Sequence, residues 1–276
     1  MPIVKRQIYI ILVSYYASYK QKAIESIKKF KEVSDLDCKL CVVYNNQSAQ
    51  DKVVHYQSII DAEILGSNKG WEFSAWDEGN AWVQENWQPQ SNDIIIFAND
   101  TFCHHRSFTK VNAAFINDAI KHIKAGQLVG DKIWFGEVGQ INGMVSDSFL
   151  SSYLFLAQQS DLNLLIPFDK VRSDTDFYNA LTFDSKQIKL KDSNPYIEKR
   201  LTDYIFPTEK GKGWYNANCN NSELIKLKGI AAINEFLLSF TVVAKGGSLA
   251  EFYPKPWMKK VIKIQRKILK RLPKSR

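Results

Sequence analysis

Three observations predict a parallel, doubly wound α/β sheet. Short apolar runs recur at Ile8 to Val13, Leu40 to Tyr44 and Ile94 to Ala98. They lack alternation, so each reads as a strand buried on both faces. Stretches with helical spacing separate them. Each run also closes in polar residues: Ser14-Tyr15-Tyr16, Asn45-Asn46-Gln47-Ser48 and Asn99-Asp100. Strands alternating with helices build such a sheet, and its ligands gather at the carboxyl ends of the strands.

The elements follow in order. Lys20 to Lys31 carries Ala23, Ile24 and Ile27 among charges and predicts a helix. Asp51 to Ser58 predicts a short helix, and Glu63 to Leu65 a brief strand. A glycine-containing turn at Asn68-Lys69-Gly70 leads into a helix through Trp82 toward Trp87, which Pro89 ends. Phe108 to Ile123 predicts a helix and Lys132 to Phe135 a short strand followed by Gly136-Glu137-Val138. Ser148 to Gln158, with a long apolar-aromatic face, predicts a helix. Asn163 to Pro167 reads as a loop or edge strand, and residues 170–195 as polar with one amphipathic stretch. Pro195 to Tyr204 predicts another helix. Pro207 to Asn221, with Trp214 and Tyr215, reads as a covering loop or a passive connection. Leu224 to Leu238 predicts a last core helix.

The chain has 276 residues and a formal charge of +8. Residues 255–276 hold ten Lys or Arg and no Asp or Glu, which leaves −2 on the rest. The basic pI thus describes the tail, and no nucleic-acid partner is expected. After Pro256, Trp257, Val261, Ile264, Ile268 and Leu272 share one helical face, flanked by lysines. That is the pattern of an interfacial helix on an anionic membrane. No run reaches the roughly 20 apolar residues of a membrane span. Gly229 to Ala244 comes nearest and is interrupted by Asn234 and Glu235. Lys5 and Arg6 precede only a strand-length run, so no cleaved leader is expected. Two units are expected: a body over 1–250 and a basic tail over 251–276. Cys38 and Cys41 have the C-x-x-C form, but Cys41 falls inside a predicted buried strand, so buried thiols are expected.

The motifs exclude several chemistries. No P-loop, no G-x-G-x-x-G after the first strand and no G-x-S-x-G elbow is present. His104 and His105 are adjacent and cannot both face one metal from regular structure; His105 or Arg106 is instead placed to meet a phosphate or an acceptor. Asp100 ends a buried strand, where a carboxylate can hold a divalent cation and, through it, phosphates. The same residues also suit an Asx-type turn or a helix cap. A nucleotide-sugar transferase fits this layout. It needs a base and ribose pocket, for which Ser14, Tyr15 and Asn45-Asn46 are candidates. It needs positive charge against a diphosphate, which Asp100 supplies through Mg²⁺ or Mn²⁺. An inverting reaction also needs a base from the second half.

The order of these features resembles a GT-A glycosyltransferase of the large family-2 type. A closer resemblance is to the rhamnan-synthesis F family, whose pattern N-x-G-[YF]-D-[FI]-G-[AS]-[WY]-x-x-G is followed by apolar-N-D-S. Here Asn68-Lys69-Gly70-Trp71-Glu72-Phe73-Ser74-Ala75-Trp76-Asp77-Glu78-Gly79 precedes Ile96-Phe97-Ala98-Asn99-Asp100-Thr101. Glu72 stands for the usual Asp, Ser74 for Gly and Thr101 for Ser. Ser151-Ser152-Tyr153-Leu154-Phe155 echoes a later S-Y-F-L-like segment. The resemblance covers roughly residues 7–205 and is most specific over 68–101.

It implies a GT-A-like, Rossmann-related fold and a bacterial surface-polysaccharide transferase of the rhamnan or O-antigen kind. The donor would be a nucleotide-sugar and the acceptor a lipid-linked glycan at the cytoplasmic face of the cell membrane, beside other assembly enzymes. Asp100 would hold the metal. Asn68, Lys69, Glu72 and Asn99 join Ser14, Tyr15 and Asn45 on the donor. Glu72 also suits a helix cap, and Trp71 and Trp76 suit either the pocket edge or the core. For the base, Asp147 leads because it precedes a predicted helix. Glu137 is second, and Glu198 and Asp203 remain. A capping role for Asp147 stays open, as does a catalytically inactive scaffold that kept the fold.

Overall fold

The first apolar run becomes β1 (Ile8–Ser14), buried at all seven positions because a strand flanks it on each side. The computed structural model describes residues 6–46, 58–104, 107–174, 181–184, 186–209, 213 and 222–271. The parallel neighbours of β1 are β2 (Cys38–Tyr44) and β4 (Ile94–Asn99), and β3 (Ala62–Leu65) pairs with the far side of β2. Odd and even positions of β1 point to opposite faces. Ile8, Ile10 and Leu12 meet Ile24, Ile27 and Ile116 from α1 (Ala17–Val33) and α3 (Lys110–His122). Tyr9, Ile11 and Val13 join the core that holds Trp76 of α2 (Trp71–Trp87). Gly79 is required there: a Cβ would lie 2.6 Å from Ile11 Cγ2 and 2.8 Å from Val43 Cγ2.

The second half departs from expectation. Ser148 to Gln158 is not a helix but most of β6 (Met144–Gln158), and the short strand expected at Lys132 to Phe135 extends into β5 (Gln127–Ile141). The two form a long antiparallel hairpin, and β6 also runs antiparallel to β4. An apolar run of that length suits either element by pattern. Two flanking strands decide it, because they satisfy the backbone of β6 on both sides while Leu150, Phe155 and Leu156 are buried. With β9 (Ser248–Glu251) parallel to β5, the sheet order is β3-β2-β1-β4-β6-β5-β9. The fold is therefore a mixed, mostly parallel, Rossmann-related sheet flanked by helices, of the GT-A-like kind.

The segment expected as a loop or edge strand starts as a 3-10 helix (Gln159–Leu164) and reaches a cis Ile166–Pro167 bond. Next come the short α4 (Lys170–Ser173), the hairpin of β7 (Leu181–Asp184) and β8 (Gln187–Leu190), and α5 (Pro195–Ile205). The core helix is α6 (Ser222–Ala244). It is long and apolar enough to cross a membrane by composition, yet most of it is buried. With Phe135, Phe149 and Ile197 it builds a third core through Phe236 and Phe240.

The tail forms α7 (Pro256–Arg271). Met258 and Ile262 are its buried residues among those described, and Gln265 Nε2 donates to Thr109 Oγ1 at 2.6 Å. Trp257, Val261, Ile264 and Ile268 stay outside, with Trp257 54 % and Ile268 56 % exposed. Apart from Trp257, whose ring meets Phe115 of α3 edge-on at 5.6 Å, the apolar stripe read from the sequence is thus not the face that docks on the body. Cys41 is buried and Cys38 half-buried, and burial raises both thiols, Cys41 to about 12. The helix expected over Asp51 to Ser58, most of the Pro207 to Asn221 segment, His105, Arg106 and Leu272 lie outside the described residues.

Candidate functional site

Asp100 sits at the carboxyl end of β4 and is 2 % exposed. Its Oδ2 accepts from the backbone N–H of Tyr15 at 2.8 Å and of Tyr16 at 2.7 Å, just ahead of α1. Burial pushes its carboxyl up to about 6 against these two bonds, and the charge of Glu72 adds to the rise. Asn99 takes the Asx-turn role: its Oδ1 accepts from Thr101 N at 3.2 Å and from Thr101 Oγ1 at 2.6 Å. The turn and the buried carboxylate therefore belong to successive residues.

Beside this strand end opens a cavity of about 480 Å³. Asn99 and Thr101 line one side, Ser151 and Ser152 of β6 another, and Glu72, Lys228 and Glu235 bring charge to it. Glu72 lies in the first turn of α2. Lys228 and Glu235 come from α6, two turns apart on one face. Glu235 Oε1 accepts from Ser152 N at 2.6 Å, and burial raises its carboxyl above the usual range. Burial pulls the Lys228 ammonium down, but Tyr204, Glu72 and Glu235 together hold it above its ordinary value. Its Nζ stands 5.1 Å from the Trp71 ring and 5.5 Å from the Tyr204 ring. Trp71 thus borders the site, whereas Trp76 is core, its Nε1 donating to Ala98 O at 3.2 Å.

A second feature lies at the ends of β1 and β2. The buried side-chain oxygens of Ser14, Asn45 and Asn68 find no hydrogen-bond partner among the described residues. Asn45 Nδ2 donates to Trp71 O at 2.7 Å, which ties the end of β2 to the start of α2. Asn68 and Trp71 both have positive φ, 54° and 56°, so this turn is tightly wound. Gly70 completes it for a steric reason, since a Cβ there would lie 2.0 Å from Asp169 Oδ2. Orphaned buried acceptors are rare in native folds and call for an explanation.

The residues expected on the donor side therefore gather at one end of the sheet. Tyr15 contributes its backbone while its ring is exposed, and Lys69 is exposed on the turn. Of the four carboxylates expected as base, Asp147, Glu137 and Glu198 do not line the cavity. Asp147 is an exposed residue of β6 that accepts from Ser148 Oγ at 2.6 Å; it neither precedes nor caps a helix, because none forms there. Glu137 is exposed within β5, toward the turn that closes the hairpin. Glu198 is occupied on α5, accepting from Leu190 N at 3.1 Å. Asp203 does line the cavity. Lys228 and Glu235 went unread. The one signal was that Asn234-Glu235 interrupts an otherwise apolar helix. Asn234 proves structural, its Oδ1 accepting from Val171 N at 3.1 Å and its Nδ2 donating to Asp169 at 2.9 Å. Among the described residues no group of three His, Cys, Asp or Glu side chains could hold a metal by itself.

No protein-family model matches the chain, and no curated protein matches it. Several solved structures share features of the fold. One is the crystal structure of 4-diphosphocytidyl-2C-methyl-D-erythritol synthase, at 15 % identity over 60 % of this chain and 79 % of that one, with a TM-score of 0.42. A likeness at that level carries no argument about activity.

Proposed function

We propose that the protein is a nucleotide-sugar-dependent glycosyltransferase of the rhamnan-synthesis F-like kind. It transfers a sugar to a lipid-linked or growing glycan at the cytoplasmic face of a bacterial membrane. One observation carries the reading: Glu72, Lys228 and Glu235 line a cavity large enough for a sugar where β4 ends, and Asp100 lies buried between its lining residues Asn99 and Thr101. The unpartnered oxygens of Ser14, Asn45 and Asn68 lie at neighbouring strand ends and suit a base and ribose. The order of motif residues over 68–101 supports the family.

In this reading Glu235 is the base. Burial raises its carboxyl above the ordinary range, which increases its affinity for a proton. An acceptor hydroxyl gives its proton to Glu235 as its oxygen bonds to the anomeric carbon. The bond from that carbon to the diphosphate breaks, and its electron pair leaves with the nucleoside diphosphate. Lys228 meets the growing negative charge. Asp100 and Glu72 fit a Mg²⁺ or Mn²⁺ ion, because that cation is commonly held by one or two carboxylates plus substrate phosphates, and the two repel each other without it. When bound, the cation supplies further charge against the leaving group. The exposed stripe of α7, with Lys260 beside it, would rest on anionic lipid.

The test is a calorimetric screen of UDP-, dTDP-, GDP- and CMP-sugars, with and without Mn²⁺, on the wild type and Asp100→Ala. Selective, metal-enhanced binding that disappears in the variant is expected. A folded protein that binds none of the donors overturns the transferase reading and favours a scaffold.

A further inference from the structure

A second cavity, of about 580 Å³, lies under α7. On a helical projection it occupies the flank opposite the exposed apolar stripe, since 259, 263 and 266 fall half a turn from 257, 261 and 264. Lys132 of β5 and Lys263, Arg266 and Lys267 of α7 line it. Its two carboxylates are already engaged. Glu251 pairs with Lys259 at 2.5 Å, and Asp131 accepts from the Tyr153 hydroxyl. Five basic side chains against these two carboxylates leave the pocket with a surplus of positive charge. Arg266 adds an independent sign: its Nε is closed off from solvent and has no acceptor among the described residues. A buried guanidinium N–H in that state is built for an anion.

The two cavities are neighbours. Ile133 lines both, and Tyr153 lines the first while bonding Asp131 of the second. We infer that the pocket under α7 is a phosphate-binding site, separate from the donor cavity, that holds the phosphorylated end of the acceptor while the rest reaches Glu235. Arg266 supplies a planar fork and Lys132, Lys263 and Lys267 supply point charges, which together suit a multiply charged phosphate or diphosphate. The role as acceptor site rests on the transferase reading; the existence of the phosphate site does not.

The experiment measures binding of inorganic pyrophosphate to the full chain. The wild type is compared with the double variant Lys263→Gln, Arg266→Gln and with Lys260→Gln, which removes one exposed charge of the same helix outside the pocket. Affinity is expected to fall about tenfold or more in the double variant, the loss of charge-assisted bonds. It should change less than about twofold in Lys260→Gln. Pyrophosphate binding that survives in the double variant but falls in Lys228→Met would put the anion in the donor cavity and overturn the proposal. Equal affinity in the double variant and the wild type overturns the proposal, as does an equal fall in Lys260→Gln. Vesicles of phosphatidylcholine with and without phosphatidic acid identify the source. Phosphatidic-acid binding that needs Arg266 and is displaced by pyrophosphate supports a lipid-borne phosphate. Pyrophosphate binding that needs Arg266, with vesicle binding that does not, supports a soluble one. Nucleotide-sugar binding on the same samples keeps the two readings apart: intact donor binding without a pyrophosphate site sinks only this inference, and the reverse sinks only the transferase.

Discussion

The two walls of the candidate site are held in different ways. On the sheet side, Asp100 is fixed by backbone: two amides of the β1 loop grip one oxygen, and neighbouring strands set its height. On the helix side, Lys228 and Glu235 depend on tertiary partners, the Trp71 and Tyr204 rings and the Ser152 amide, each distant in sequence. The first wall is local and leaves a contiguous motif. The second is assembled by packing and leaves only polar interruptions in an apolar helix. Chemistry split in this way predicts that the sheet side governs donor binding and that the helix side governs turnover.

The largest effect should come from Glu235→Gln. The amide still accepts from the Ser152 N–H, so the cavity wall survives, but proton uptake is lost. Turnover should fall about 10²- to 10⁴-fold, the usual scale for a general base, with donor affinity unchanged. Steady-state kinetics beside donor titrations check this. Loss of donor affinity with unaltered turnover would erase the division between the walls.

Gly70→Ala probes the joint between them. A Cβ there meets Asp169, which is bonded to Asn234 of α6 next to Glu235. Crowding of this kind costs about 1–3 kcal/mol. Chemical denaturation should show that loss. An unchanged midpoint would mean that Asp169 swings aside and the two walls move independently.

Asp100 adds a pH dependence whose sign is set by burial. Its carboxyl is raised to about 6, so the folded state favours the protonated form. The stability this contributes is complete below the unfolded value near 4 and is lost as pH rises through about 6. Asp100→Asn keeps an acceptor for the two amides without the charge. It should raise stability by on the order of 1–3 kcal/mol at about pH 7.5, a gain that shrinks toward pH 5. Metal-enhanced donor binding should vanish in the same variant and, in the wild type, should strengthen as pH rises through about 6. Thermal melts and calorimetry at both pH values test the pair; a variant no more stable at the higher pH contradicts the burial argument.

The same division explains what the sequence made legible. β1, β2 and β4 were readable because both their faces are buried, which imposes continuous apolar runs ending in polar turns. The 68–79 segment was readable as a motif, although Gly70, Gly79 and Trp76 prove to serve packing. β6 was misread because its pairing with β4 and β5 is nonlocal, and an eleven-residue apolar run has no period that reveals it. Glu235 was passed over for the same reason: its worth depends on Ser152, more than 80 residues away.

The smallest effects should come from the carboxylates that the sequence favoured. Asp147 and Glu137 are exposed on the β5–β6 hairpin and line no part of the cavity. Replacing either by Ala should leave stability within about 0.5 kcal/mol and turnover within about twofold. Glu198→Ala removes the acceptor of the Leu190 N–H, so it should cost about 1 kcal/mol of stability while turnover is likewise preserved. Measured beside Glu235→Gln, the three form a ladder in which only the α6 carboxylate affects the chemical step. A turnover loss of a hundredfold in Asp147→Ala, with the fold intact, would instead require the hairpin to close over the cavity during reaction and would move the base off α6.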